Sequence, residues 1–317
     1  MDISTISRAL RDDPRVKAVT RKRIQKTAAR LGYRPNLLAR NLAGGRTRTI
    51  WLILPSVDSS IDHHLVRHAS HYANEQDYTL FVALHDSDNF GTLVGHSCEH
   101  YMQILESAAQ GTADGVIVVP RRGADDTNLL KGLVHRDFPV VFLDNHLEGL
   151  ACAAVTSDNE SGGRELARRC VEGGATGAIL LFSEQNTVAH ARLAGAQAAL
   201  RKLGVPFVEQ LPPKSIGKLG SCVAVIGSSQ TSHLLSFMAS NSRHLLEKRL
   251  IFGVFDEWVG EPGPAEKVYV AIQDAATMAK LAVDRLISLI EKRPDPGPRI
   301  VRVPILEFKE SGTFQPR

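Results

Sequence analysis

Gly32-Tyr33-Arg34-Pro35-Asn36-Leu37-Leu38-Ala39-Arg40-Asn41-Leu42-Ala43-Gly44-Gly45-Arg46-Thr47-Arg48 divides the chain into a short basic head and a long, nearly neutral body. Pro35 steers Arg34 out of the helical region, Asn36 can cap the turn that follows, Leu37 to Ala43 favours helix, and Gly44-Gly45 ends it. So short a helix is marginal in water, because nucleation costs more than a few hydrogen bonds return, and it needs a partner to form. Arg34, Arg40, Arg46 and Arg48 stand in the stretch with no acid among them, which points to a polyanion.

Working outward, residues 1–48 carry 13 Lys and Arg against Asp2, Asp12 and Asp13, a balance of +10 in a chain of only +4, so the rest is −6. A basic segment on a mildly acidic body suits a protein with one part on phosphates. At 317 residues and 43% apolar, the chain has enough for a small domain plus one or two larger ones without staples. Cys98, Cys152, Cys170 and Cys222 show no CxxC or CxH spacing, which predicts buried thiols in a reducing compartment and neither a disulfide framework nor a zinc site. No apolar run approaches the roughly 18 residues of a spanning helix and no signal-peptide layout opens the chain, so a cytoplasmic protein with no membrane partner is expected.

In the head, Asp2 can cap a helix that turns Ile3, Ile6, Ala9 and Leu10 inward and Ser4, Thr5, Ser7, Arg8 and Arg11 outward. An arginine there can grip a guanine edge bidentately, and the hydroxyls can hold phosphates or bases. Asp12-Asp13-Pro14 stops this helix. A second is predicted from about Thr20 to Leu31, with Ile24, Ala28 and Leu31 inward and Arg21, Lys22, Arg23, Lys26 and Arg30 outward.

The body alternates apolar runs with amphipathic stretches. The runs are Thr49–Pro55, Thr79–Leu84, Gly115–Val119, Val140–Leu143, Ala178–Phe182, Cys222–Ile226 and Leu250–Phe255, with a strand-like tail at Ile300–Phe308. This pattern predicts an α/β fold of two doubly wound parallel sheets covered on both faces, with ligands beyond the carboxyl ends of the strands. The residues just past those ends include Ser56, Asp58, Arg121, Arg122, Asp144, Asn145, Asp256 and Glu257, a set suited to a polyhydroxylated or phosphorylated small molecule.

Ser4–Val16 (STISRALRDDPRV), Thr20–Ile24 (TRKRI) and Gly32–Ile50 (GYRPNLLARNLAGGRTRTI) resemble the DNA-binding head and hinge of the lactose-repressor (LacI/GalR) family of bacterial transcription regulators. The resemblance implies that Ile3, Ser4 and Arg8 face base edges and that Thr5 and Ser7 hold phosphates. It implies further that Leu42 wedges into the minor groove and that Tyr33, Asn36 and Ala39 complete the DNA-facing set. Family members begin some 15 residues earlier, with a helix that covers Ile3, Ile6 and Leu10; either the start is placed late or the head is truncated. The body is similar to the family's two-lobed, periplasmic-binding-protein-like (type I) effector core. The resemblance then implies a head at 1–33, a hinge at 34–48 and a core at 49–317. Its N-lobe is expected at about 49–155 and 274–296, and its C-lobe at about 156–273 and 297–317.

Carried over by position, Ser56, Asp58, Arg121, Asp144, Arg192, Ser229 and Asp256 are the implied effector-binding residues. Ser228 and Ser229 stand where the family usually has Asn-Asp, which departs from an ordinary sugar site. FPVVFLD and GRTRTI are similar to the fructose-repressor branch, whose effectors are sugar phosphates, an anion that Arg121 and Arg122 would suit. The implied partners are an operator duplex, a sugar or sugar phosphate, and a second copy of the chain. The alternative is a truncated paralogue, or a two-lobed sugar-binding protein or enzyme without effective DNA binding.

Catalysis would call for a nucleophile with its base, a metal set or a phosphate loop, and GxSxG, HExxH and GxxxxGK[ST] do not occur, so no enzyme and no cofactor is expected. His64, His68 and His71 share one helix face, and His96 and His100 repeat the spacing. Without a Cys or carboxylate to complete a set, these read as a solvated or subunit-facing surface and not as a metal site.

Overall fold

The computed structural model describes residues 2–10, 12–32, 46–57, 59–84, 97–120, 124–182, 186–209, 219–227, 245, 248–256, 265–294 and 297–311. The chain forms two compact units, Met1–Thr47 and Arg48–Arg317. Tyr33, Asn36, Ala39 and Leu42, expected to contact DNA, lie outside the described residues, as do Asp58, Arg121 and Ser229 of the expected effector set.

In the head, α1 (Ile3–Leu10) and α2 (Ala18–Arg30) pack on Ala9, Val16 and Ile24, with Leu10 against them. The backbone carbonyl of Asp2 accepts from the amides of Thr5 and Ile6, which starts α1 at the expected place. The turn between the helices is stitched by side chains. Arg15 pairs with Asp13 at 2.7 Å, and Gln25 Nε2 donates to Ala9 O at 3.2 Å. Arg21, expected on the outer face, instead folds onto the turn, 2.7 Å from the Asp12 carboxylate and 3.2 Å from Asp13 O. Two inward expectations also fail. Leu31 is 71% exposed and Ile6 is 37% exposed, because within these helices nothing lies opposite them to bury against.

The core unit contains twelve described strands in two six-stranded sheets. The first runs β11-β5-β4-β3-β1-β2 and the second β12-β10-β9-β8-β6-β7. Their strands are β1 (Thr49–Leu54), β2 (Thr79–Leu84), β3 (Gly115–Val118), β4 (Val140–Leu143), β5 (Ala153–Ser157) and β11 (Ile300–Val303), then β6 (Gly177–Leu181), β7 (Phe207–Glu209), β8 (Cys222–Gly227), β9 (Arg249–Phe255), β10 (Ala265–Gln273) and β12 (Ile305–Ser311). The sheets have equivalent orders, so β4 answers to β9 and β5 to β10. Every pairing is parallel except β10 with β12. β3, β4 and β8 are buried along their whole length, as continuous apolar runs require in a sheet covered on both faces.

On one face of the first sheet, α3 (Ser60–Glu75) and α8 (Ala275–Ile290) contribute Leu65, Ala69, Met278, Val283 and Leu286 to the core. On the other, α4 (Ser97–Ser107) and α5 (Ala124–His135) contribute Tyr101, Leu105, Leu130 and Leu133. The second sheet is covered by α6 (Asn159–Glu172) and α7 (Thr187–Leu203) through Leu166, Ala167, Ala196 and Leu200. These two helices touch backbone to backbone. A Cβ on Gly163 would stand 2.1 Å from Arg192 O, and one on Gly195 would stand 1.9 Å from Glu160 O. Only glycine fits at either position.

The chain passes between the sheets at three places, each a single residue wide. Asp158 stands between β5 and α6, Asp274 between β10 and α8, and Pro304 between β11 and β12. Asp158 caps α6 by accepting from Ser161 N at 3.1 Å, and Asp274 caps α8 by accepting from Thr277 N at 3.0 Å. The last crossing corrects the expected boundary. The resemblance puts the tail from 297 onward in the C-lobe, yet Ile300–Val303 pairs with β5 in the first sheet and the chain changes lobe only at Pro304. Proline supplies no amide hydrogen to a ladder, so the apolar run that reads as one strand is two.

Candidate effector cleft and DNA-contact residues

The carboxyl ends of β4 and β9, which are equivalent strands, each deliver an aspartate into the space between the lobes. Asp144 follows β4 with φ 62° and Asp256 follows β9 with φ 69°. Both hold this left-handed conformation, which Asp tolerates better than most side chains, by donating their amides to the neighbouring strand: Asp144 N to Val155 O at 2.8 Å and Asp256 N to Ala271 O at 2.7 Å.

Arg192 enters from α7. Its guanidinium lies 3.8 Å from the centroid of the Phe255 ring, and its Nε donates to Asn159 Oδ1 at 2.7 Å. Asn159 is itself anchored through Nδ2 to Ser157 O at 3.1 Å and Thr156 Oγ1 at 3.3 Å. Gln273, at the end of β10, donates Nε2 to Asp256 Oδ1 at 2.6 Å and accepts from Ser157 Oγ at 2.5 Å. The buried polar set of Ser157, Asn159, Arg192, Asp256 and Gln273 is thus one connected network, which fixes the orientation of the groups facing the cleft. Asp144 Oδ1 differs: it is buried with no hydrogen-bond partner among the described residues.

Burial pushes the Asp256 carboxyl up to about 6, with Arg192 and the Gln273 hydrogen bond pulling the other way. Burial likewise raises Asp144, against the opposing charge of Arg192. Asp62, at the start of α3, is raised by burial as well, and the charges of Asp144 and Asp62 add to the rise at Asp256. Across the cleft Thr187 Oγ1 donates to Asn145 Oδ1 at 2.6 Å, joining the start of α7 in one lobe to the turn after β4 in the other.

Of the effector residues expected from the sequence, Asp144, Arg192 and Asp256 therefore converge, and Ser56 is half-buried two residues beyond β1. Gln273, Asn159, Thr187 and Asp62 were not anticipated. A signal for two of them exists, because Ser157-Asp158-Asn159 and Gln273-Asp274-Ala275 mark equivalent strand-to-helix crossings. In the head, Arg8 and Ser4 are exposed and Thr5 is half-buried on α1, while the Ser4 hydroxyl is turned onto the Asp2 carboxylate. Nothing is described of the side chains of Ile3 and Ser7. On α3 the rings of His64 and His68 lie 6.3 Å apart and stacked, with Tyr72 next in the ladder, and no group of three or more metal-ligating side chains occurs among the described residues.

A two-lobed core with matched sheets and a polar cleft at equivalent strand ends is a periplasmic-binding-protein-like fold, here accompanied by a separate basic two-helix unit. Residues 3–36 match the family described as "Bacterial regulatory proteins, lacI family". Over that segment the chain is similar to this family. It is 25% identical over 213 residues to the HTH-type transcriptional regulator RegA of Clostridium saccharobutylicum, covering 67% of this chain and 61% of the relative. It is 28% identical over 208 residues to the ribose operon repressor of Bacillus subtilis (strain 168), covering 65% of this chain and 59% of the relative. The chain thus spans about three-fifths of the length of the curated relatives it matches. The Lac repressor bound to ONPG has the same fold, with a TM-score of 0.71, 18% identity, and coverage of 99% of this chain and 95% of that one. No described helix is long and apolar enough to cross a membrane.

Proposed function

We propose that the protein is a cytoplasmic, sequence-specific DNA-binding transcriptional regulator, and not an enzyme, whose operator affinity is set by a sugar-like effector held between the lobes. The observation that carries this reading is the lacI-family match over residues 3–36, which falls on a helix pair with Arg8, Lys22, Arg23, Lys26 and Arg30 exposed. The names of the relatives, an HTH-type transcriptional regulator and a ribose operon repressor, support the same class.

In this mechanism two chains pair, and their heads read half-sites in the major groove through Arg8 and neighbouring groups on α1. Leu42 of each hinge wedges the central step of the minor groove, a deformation costing about a few kcal/mol that extra contacts offset. Lobe rotation on effector binding changes the spacing of the hinges and so their stability. Arg192, Asp144, Asp256 and Gln273 would grip ligand hydroxyls, since carboxylates accept from them and the guanidinium and amide donate to them. The Thr187–Asn145 bond holds the lobes together across that cleft.

A gel shift of genomic fragments by the full chain tests the reading. Site-specific retention that weakens steeply with salt and changes on adding a sugar is expected. Salt-insensitive binding, or binding without sequence preference, would overturn it.

A further inference from the structure

Where the chain enters the core, one residue holds a backbone conformation that its side chain does not favour. Arg48, the first residue of the core unit, has φ 54°. Seven non-glycine residues among those described have positive φ; five of them are aspartates, and Lys292 follows the end of α8. Arg48 is neither an aspartate nor next to a described helix, and a Cβ carries a steric cost in this region. Such a conformation persists only where its surroundings hold it. Three contacts do so here. The Arg48 amide donates to Asp114 Oδ2 at 2.8 Å, the Arg48 carbonyl accepts from Thr79 N at 2.8 Å, and the guanidinium lies 5.1 Å from the centroid of the buried Tyr78 ring. The partners stand at the starts of adjacent strands: Thr79 opens β2, and Asp114 precedes β3 while giving its own amide to Thr49 O at 2.8 Å.

Of the three, the bond to Asp114 controls a rotation. From Thr49 onward the backbone is fixed in the sheet, and the Arg48 carbonyl is tied to β2, so the N–Cα bond of Arg48 is the first free axis upstream. Turning that bond to an ordinary φ of about −60° relieves the steric cost and swings the whole of Met1–Thr47. The same turn carries the Arg48 amide off Asp114 and leaves the carbonyl and the strand register untouched. The carboxylate is therefore the stop, and a carboxylate acceptor makes a stronger one than a neutral group.

Resting on the reading of Met1–Thr47 as the DNA-binding unit, we propose that Asp114 is its positioning residue. The carboxylate fixes the angle at which the chain leaves the core, so that a movement of the first lobe passes to the hinge instead of being lost as free rotation at Arg48. Slack at that bond also spreads the two heads of a pair over more orientations and lowers the effective concentration of the second head at its half-site.

The test compares the full chain with Asp114→Ala and Asp114→Asn, on a genomic fragment that the parent retains in the gel shift and on random DNA, well below the melting points that thermal unfolding gives. Asp114→Ala should bind the fragment about tenfold more weakly or worse, as the loss of one hydrogen bond to a carboxylate implies, and random DNA as the parent does. Asp114→Asn keeps an acceptor oxygen and should recover most of that loss. Arg48→Pro leaves Asp114 in place, removes the amide and sets φ near about −65°, so it should lose specific binding as well, beyond its charge control Arg48→Ala. Without DNA, trypsin cleavage after Arg46, followed by mass spectrometry, should run about tenfold faster in Asp114→Ala than in the parent or Asp114→Asn. Fragment binding or cleavage unchanged in Asp114→Ala would overturn the inference and leave the DNA-binding reading standing. Losses that are equal on both DNAs, or equal in Asp114→Ala and Asp114→Asn, would overturn it too. A parent that retains no fragment specifically would overturn the inference and the DNA-binding reading together.

Discussion

Gly195→Ala places one methyl group between α6 and α7 at their closest approach. The new Cβ would stand 1.9 Å from Glu160 O and 2.9 Å from Arg164 N, both backbone atoms that no rotamer change can move aside. Restoring even a tight contact of 3.0 Å requires the helices to part by about 1.1 Å. Overpacking of this kind costs about 3 kcal/mol at the upper end of its usual range, and replacing glycine by alanine within a helix returns about 1. The net loss of about 2 kcal/mol corresponds to a melting point lowered by about 4–8 °C in a core of this size. Arg192 stands three residues before Gly195 on the same helix, so the opening also draws its guanidinium from Asn159, and sugar affinity should fall about tenfold or more.

The control is Gly132→Ala on α5, where the nearest atom to the new Cβ is the Arg136 side-chain nitrogen at 3.6 Å. There the propensity gain stands alone, and a stabilisation of about 0.5–1 kcal/mol is expected. Thermal or urea unfolding of the two variants beside the parent reads the sign. If Gly195→Ala melts no lower than Gly132→Ala, the backbone contact does not lock the helix pair.

Asp256 binds its proton more tightly folded, at about 6, than the ordinary carboxyl at 3.8, so the stability it contributes is full below about pH 4 and lost as pH rises to about 6. Asp256→Asn removes that loss. Urea melts should show the variant equal to the parent near pH 4 and up to about 3 kcal/mol more stable at pH 7, and a difference that does not vary with pH would sink the assignment. Thr187→Val deletes the bond to Asn145, so small-angle scattering of the ligand-free protein should show a more open pair of lobes; an unchanged profile refutes the latch. Arg8→Ala should cost about 1–3 kcal/mol at the operator and little on random DNA, measured by anisotropy. Leu42→Ala should likewise weaken specific binding far more than non-specific binding; equal losses would argue against the wedge.

The apolar runs that read as strands, from Ile50-Trp51-Leu52-Ile53 through Val140–Leu143 to Leu250–Phe255, became strands because a parallel strand buried on both faces has nowhere to place a polar side chain. β5 and β10 were not legible for the converse reason. Ala153–Ser157 is short and ends in Thr-Ser, and Ala265–Gln273 opens with Glu266 and Lys267, which reach solvent where they pair with Arg249 and Glu310. Losing those two strands also hid what stands at their ends, so Ser157 and Gln273 went unrecognised beside the three cleft residues found from strand ends and family resemblance. In the head, the inward placing of Leu31 and Ile6 followed helical periodicity, which gives a face but not what covers it.

The single-residue crossings at Asp158, Asp274 and Pro304 have a mechanical consequence. Two rigid plates joined by one strap can twist, swing and slide. Joined by three short straps they lose most of those freedoms and behave as a door on a butt hinge, with one cheap rotation. A molecule bound far out in the gap then works at the long end of a lever, and the small free energy of a few hydroxyl contacts acts on one angle instead of being dissipated over many.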